Sequence, residues 1–313
     1  MDSSNNILVV GCKGQLGTDC MSVLGKKAVG IDLPDIDITK PFQCLDPNAV
    51  REAPLLRGND RREWQKLDAI APAVIINCAA YTAVDACETD PVCWKVNADG
   101  PKHLAEWAAA NGAFLVHIST DYVFSGDKPL FDSLVETDPV APVSEYGKSK
   151  LAGEQAVLES GAHAAILRTA WLYGAHGKNF LKTMLRLALQ NPEREIRVVN
   201  DQFGSPTWSY TLARQIAAVV EAKATGIFHA TSEGYCSWYD LAARFLQLMN
   251  VPYRMAPCTT AEYPTPARRP KNSILENGLL KRQGLNVFDN WEAELNCFVQ
   301  KYRTVLINEA RGL

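Results

Sequence analysis

Hydrophobic residues in the first half of the chain fall into short continuous runs: Ile7-Leu-Val-Val, Ala28-Val-Gly-Ile, Ala73-Val-Ile-Ile, Phe114-Leu-Val-His-Ile and Ala164-Ala-Ile-Leu. None of them alternates apolar with polar, as a strand with one wet face would. Such runs suit the middle of a parallel sheet, where both faces are covered. Helical stretches separate them. One runs from Thr18 to Leu24, one carries Leu104, Trp107 and Ala108, and one runs from Tyr146 through Leu151, Gln155 and Leu158 to a stop at Gly161. The rhythm predicts an α/β fold, a doubly wound parallel sheet of Rossmann type with crossover helices on both faces.

Beyond Trp171 the rhythm loosens. Phe180, Leu181, Met184, Leu185, Leu187 and Ala188 make one amphipathic helix, ended by Asn191-Pro192. Glu195 to Val199 reads as a strand and residues 200–207 as a loop. Leu212, Ile216 and Val219 mark a helix feeding the strand Gly226-Ile-Phe-His-Ala, which should rejoin the first sheet. Ser237-Trp-Tyr-Asp240 reads as a capping box, a structural role, for a helix through Met249. A proline-framed loop, Tyr263 to Ser273, precedes a last helix around Trp291 to Tyr302. These segments predict a smaller, mixed C-terminal substrate-binding domain built from separated pieces. The boundaries are 1–173 plus about 208–236 for the dinucleotide-binding domain, and about 174–207 plus 237–313 for the substrate-binding domain. Residues 40–73, with Pro41, Pro47, Pro54, Pro72 and many charges, read as surface helices and loops.

Composition narrows the function classes. With 313 residues, 47% of them hydrophobic and 21% charged, the chain has the makeup of a soluble globular protein. A net charge of -3 with scattered basic residues argues against nucleic acid as a partner. No basic n-region precedes the short apolar run at Ile7, so neither export nor a membrane is expected. Nine cysteines, an odd number without a Cys-x-x-Cys pair, predict reduced thiols in a cytoplasmic protein and neither disulfide nor zinc.

The first strand runs into Gly11-Cys-Lys-Gly14-Gln-Leu-Gly17. Glycines there would permit a tight turn, close approach to a pyrophosphate, and close packing of helix on strand. Asp32, 21 residues beyond Gly11, stands where a carboxylate takes the adenosine ribose hydroxyls. Asp37 could reach the adenine edge or form a turn. Lys13 favours a 2′-phosphate and Asp32 opposes one, so NADPH and NADH both stay open. Small residues after the third strand, Ala79, Ala80 and Thr82, would let the nicotinamide lie close. Ser119, Thr120 and Asp121 end the fourth strand, where parallel sheets collect function. Tyr146 and Lys150 share one helix face. Arg268 and Arg269 offer forks for an anionic ligand.

These residues resemble the extended short-chain dehydrogenase/reductase superfamily and, within it, the dTDP-4-dehydrorhamnose reductase family. The matching stretches are Gly11 to Gly17, Asn77-Cys-Ala-Ala-Tyr-Thr-Ala-Val-Asp85, Val96-Asn-Ala98, Ser119-Thr-Asp-Tyr-Val-Phe124 and Tyr146-Gly-Lys-Ser-Lys150. Asn200-Asp-Gln-Phe-Gly-Ser-Pro-Thr207 and Tyr263-Pro-Thr-Pro-Ala-Arg-Arg-Pro-Lys-Asn-Ser273 complete the match. The earlier stretches carry only the superfamily; the last two point to the reductases. The resemblance implies a catalytic trio of Thr120, Tyr146 and Lys150, with a dTDP-4-keto-6-deoxy sugar as substrate. The implied cofactor set is Gly11, Lys13, Gly14, Gln15, Leu16, Gly17, Asp32, Asp37, Ala79, Ala80, Tyr81, Thr82 and Asn97, with Tyr146 and Lys150. The implied substrate set is Thr82, Asp121, Tyr122, Trp171, Asn179, Phe203, Arg268 and Arg269. No residue is assigned to a metal, although a divalent ion such as Mg is compatible with this set, as is a homodimer.

Ketone reduction needs a hydride on carbon and a proton on oxygen. A free tyrosine titrates near pH ~10, and lowering it by about three units requires roughly 4 kcal/mol. An ammonium about 4 Å away at an effective dielectric of 20 supplies about that. The sequence thus predicts a Tyr146 phenol made acidic by Lys150. Two rivals share the fold. A 4,6-dehydratase or epimerase is disfavoured because Tyr122 follows Asp121 where a dehydratase typically has Glu. A regulatory subunit resembling the methionine adenosyltransferase beta subunit is disfavoured by the Arg268-Arg269 loop.

Overall fold

The computed structural model describes residues 6–42 and 60–313. Six parallel strands form the central sheet, in the spatial order Gly226–His229, Ala164–Thr169, Phe114–Thr120, Val74–Asn77, Ile7–Val10, Ala28–Ile31. From the first strand the chain steps outward to Ala28–Ile31, then crosses back to lay Val74–Asn77 on the other side of Ile7–Val10. The direction of winding therefore reverses between the first and third strands. At such a switch point the carboxyl ends of the strands open a crevice.

In the four inner runs alternate residues face opposite helix layers, which is why those runs have no polar face; in the edge strand Ala28–Ile31, Val29 is exposed. Leu8, Val10, Ile75, Leu115 and Ile166 pack with Trp64, Leu67, Leu104 and Val157. Val9, Ile76, Val116, Leu167 and Phe228 pack with Leu16, Cys20, Leu212 and Ile216. A separate core joins Tyr173, Leu181, Leu185, Leu241, Phe245, Leu295 and Phe298. Leu280 and Phe288, late in the chain, pack with the central sheet rather than with that second core. The Glu195–Val199 strand has an unexpected partner, Arg254–Cys258, running parallel to it. Asn200–Thr207, read as loop, contributes the two-residue strands Phe203–Gly204 and Thr207–Trp208.

The cysteine reading needs one correction. Cys87 and Cys93 are disulfide-bonded, with Cα atoms 5.3 Å apart. Two short helices, Val84–Cys87 and Val92–Trp94, turn back on one another at Asp90, which accepts from the Val92 N–H at 2.9 Å and the Tyr81 hydroxyl at 2.8 Å. Both thiols thereby enter a small core with Tyr146. A six-residue spacing carries no motif, so only the fold brings them together. The other described cysteines are free. The sequence reading of residues 43–59 lies outside the described residues. Among the described residues no helix is long and apolar enough to cross a membrane.

Candidate active site

The glycine turn has the geometry an anion cradle requires. Gly11 adopts φ +78°, and a β-carbon there would sit 2.7 Å from the backbone nitrogen of Ala79. One at Gly17 would collide with the carbonyl oxygen of Gly11. The two loops and the helix thus meet backbone to backbone. Gly14 precedes the helix Gln15–Leu24, whose N-terminus is capped by no side chain and keeps N–H groups and a positive dipole end for a ligand. Asp32 accepts from the backbone N–H groups of Lys13, at 2.9 Å, and Leu33, at 2.8 Å. The Lys13 ammonium turns to the Leu33 carbonyl at 3.3 Å. Asp37 holds the Thr39 hydroxyl and N–H. A dinucleotide cofactor fits this frame: the close-approach glycines and the uncapped helix end leave room for a pyrophosphate, and Asp32 stands just past the end of the second strand.

At the end of the fourth strand the Thr120 hydroxyl donates to Asp121 at 2.9 Å and accepts from the Tyr122 N–H at 3.2 Å. Ser144 caps the helix Glu145–Glu159 through the Gly147 N–H. Because Gly147 has no side chain, the Tyr122 carbonyl can press against it. This contact seats the start of the Tyr146 helix against the turn that follows Thr120. Tyr122 sets its ring edge-on to Tyr146 at 5.4 Å. Lys150 lies one turn on and donates to the Ile118 carbonyl at 2.6 Å.

Asn97 is fully buried in a π-helical stretch, Lys95–Asp99. It bonds both backbone groups of Tyr81, at 2.8 and 3.0 Å, and the Ser149 hydroxyl at 3.2 Å. Its side chain therefore clamps the 79–82 loop to the helix of Tyr146.

Burial dominates the electrostatics. It pushes the Tyr146 phenol up to about 12, with Thr120 lowering it and Asp121 raising it. The expected acidic phenol is corrected here: burial outweighs what lowers the Tyr146 phenol, and the Lys150 ammonium donates to the Ile118 carbonyl. Burial also brings Lys150 down to about 8, against the pull of Glu154, and raises Asp121 to about 6, against its hydrogen bonds to Thr120 and Ser273.

A cavity of about 440 Å³ gathers Gly14, Gln15, Leu16, Ala80, Thr82, Thr120, Asp121, Tyr122, Tyr146, Lys150, Trp171 and Asn179. Gly11, Lys13, Gly17, Asp32, Asp37, Ala79, Tyr81 and Asn97 do not line it. Arg269 lines a second cavity of about 310 Å³ with Arg197, Gln202 and Tyr263, and pairs with Asp85 at 3.0 Å. Arg268 is exposed, and Phe203 packs edge-on against Phe131 at 5.0 Å; neither lines these cavities.

Sequence reasoning missed Lys178, Phe180 and above all Trp238, which borders both cavities. Trp238 follows the Ser237 cap of its helix, a box the structure contains. It stacks on Trp171 with ring centres 3.6 Å apart and planes 9° apart. Trp171 holds a left-handed backbone, φ +46°, a costly conformation for a bulky residue. Among the described residues no group of three or more His, Cys, Asp or Glu could hold a metal ion.

Comparison with known proteins agrees with this geometry. Residues 5–304 match the family model described as RmlD substrate binding domain. A dTDP-4-dehydrorhamnose reductase of Burkholderia thailandensis is 39% identical over 298 residues, covering 88% of this chain and 92% of that protein. A dTDP-4-keto-6-deoxy-D-glucose reductase of Streptomyces niveus is 36% identical, covering 92% of this chain and 94% of that protein. Among solved structures, the dTDP-4-dehydrorhamnose reductase of Bacillus anthracis in complex with NADP is 35% identical, with a TM-score of 0.85 over 95% of this chain and 99% of that one. The glycine turn, the strand-end threonine and the Tyr146 helix are thus set in a known frame, and the chain belongs to the dTDP-4-dehydrorhamnose reductase family.

Proposed function

We propose that this chain reduces the C4 ketone of a dTDP-4-dehydro-6-deoxy sugar, dTDP-4-dehydrorhamnose to dTDP-rhamnose, the last step of a nucleotide-sugar synthesis. NADPH or NADH serves as reductant, and the NADP complex of the Bacillus anthracis relative supports NADPH. The observation that carries the reading is the convergence of Thr120, Tyr146 and Lys150 in one cavity beside the open helix end at Gly14.

A reduced nicotinamide, held by the glycine turn and the 79–82 loop, would supply the hydride for the ketone carbon. The residues of this chain manage the oxygen. Thr120 hydrogen-bonds the carbonyl oxygen and fixes its angle as charge develops there. Tyr146, fully protonated at neutral pH, donates its proton to that oxygen. The phenolate left behind is costly in so buried a place, and the neighbouring Lys150 cation offsets that cost. Trp171 and Trp238 exclude water from one side. Arg269, with Gln202 and Tyr263 around the second cavity, receives the diphosphate end of the substrate. Asp121 is followed by Tyr122, so a second carboxylate to remove water is missing from the strand end, which favours reduction over dehydration.

Residues 1–173 with about 208–236 act as the cofactor-binding part and the remainder as the substrate-binding part. The mostly free cysteines favour a cytoplasmic enzyme, and a homodimer is the assembly this reading adopts. The test follows reduced-cofactor absorbance, with NADPH and NADH separately and the dTDP-4-keto sugar as substrate. Tyr146→Phe lowers turnover by orders of magnitude while cofactor binding persists. Near-normal turnover of that variant would sink the reading.

A further inference from the structure

We propose that Glu154, gripped by Arg168, is a positioning residue for the reduction: it holds Lys150 in place and in its ammonium form. The proposal rests on the roles given above to Tyr146 and Lys150.

Tyr146, Lys150 and Glu154 follow one another at intervals of four along one helix and so stand in a line on one face. All three are buried, Glu154 at 1% exposure. The Glu154 carboxylate is held by both prongs of the Arg168 guanidinium, from Nε at 2.9 Å and Nη2 at 2.7 Å. Arg168 lies on the strand Ala164–Thr169, one residue before Thr169, which pairs in register with Thr120. The ion pair therefore ties the helix that carries the phenol and the ammonium to the strand beside the one that carries the hydroxyl.

Stability alone does not account for the pair. Apolar residues of similar volume often replace a buried ion pair with no loss, or with a gain. What they cannot do is face Lys150 with a negative charge. Lys150 needs one, because burial disfavours its charged form and Glu154 is the group that opposes this.

The surrounding charges leave Glu154 alone in that task. From the strand Phe114–Thr120 the titratable group near Lys150 is His117, which burial keeps neutral. From the neighbouring strand it is Arg168, turned over the Phe124 ring at 5.1 Å and bound to the Glu154 carboxylate. From the turn after Thr120 it is Asp121, which acts on Tyr146. On the Lys95–Asp99 side stands Asn97, uncharged and bonded to Ser149.

The experiment measures kcat against pH, with melting temperature and cofactor affinity as controls. It uses the wild type, Glu154→Gln, Glu154→Asp and the double variant Glu154→Met with Arg168→Met. The alkaline limb of the wild-type profile reports loss of the Lys150 charge. In Glu154→Gln it moves to lower pH by about one unit, and Glu154→Asp returns it part of the way. The double variant leaves no unpaired buried charge and decides the matter if Glu154→Gln fails to fold. It folds, binds cofactor and shows the same displaced limb. A limb that stays in place in either folded variant overturns the proposal, since a merely structural pair would change the melting temperature alone. Tyr146→Phe, assayed in parallel, separates the two readings. If it keeps its activity, the site assignment fails; if it is inactive while the Glu154 limb is fixed, only this proposal fails.

Discussion

Asp121 is a carboxyl group buried one residue beyond Thr120, and its ionised form is held by Thr120 and Ser273 without full repayment for lost water. Its pKa rises from 3.8 to about 6. The folded protein therefore binds the proton more tightly than the unfolded chain. The associated stability is full below the unfolded value and is lost as pH rises through about 6, a loss on the order of 3 kcal/mol. Asp121→Asn removes this cost. Melting curves should show the variant more stable than wild type at about pH 8, with the advantage fading toward about pH 4; an advantage that grows on acidification would contradict the burial argument. The same physics corrects the expected acidic phenol. Sequence spacing reveals that Lys150 lies one turn from Tyr146, but not that its ammonium points at the Ile118 carbonyl.

At the level of elements, Asn179 shows how one side chain fixes the join between two halves of the cavity. Its Oδ1 caps the helix Phe180–Gln190 by accepting from the Lys182 N–H at 3.1 Å. Its amide donates to Gln15 at 2.9 Å and to the Gly174 carbonyl at 2.8 Å. Asn179→Ala should cost about 1–2 kcal/mol in denaturant unfolding, while Asn179→Asp, which keeps the cap and loses the donated bonds, should fall between. Equal stability of Asn179→Ala and wild type would remove the cap from this account. Elements of this kind were largely legible. The five early apolar runs are all strands of the sheet, and in the four inner ones burial on both faces leaves an unmistakable composition. The Arg254–Cys258 strand, Arg-Met-Ala-Pro-Cys, was not, because an edge strand containing proline has neither alternation nor a continuous apolar run.

Across the whole molecule, residues far apart in sequence close the site. Arg269 reaches Asp85, 184 positions away, and holds that carboxyl below its ordinary range against the desolvation that would raise it. Both side chains are partly exposed, so the pair contributes less than about 1 kcal/mol to stability. Its value lies in fixing the proline-framed loop against the 79–85 loop. Arg269→Ala should leave the melting temperature nearly unchanged and raise KM for the nucleotide sugar roughly tenfold or more, the loss of one charged hydrogen bond. An unchanged KM would exclude Arg269 from substrate binding. Thr120, Tyr146 and Lys150 could be proposed from sequence because local motifs carry them. Trp238 and Lys178 could not, since only the packing of the second core against the sheet turns them toward the cavity. The Trp171–Trp238 stack has a consequence of another kind. Two indoles in face-to-face contact absorb and emit as one coupled unit, and this unit forms the wall of the reaction cavity while Trp107 lies deep in the sheet's core. Part of the intrinsic light emitted by this chain therefore reports on the pocket: the protein carries its own optical gauge of what enters it.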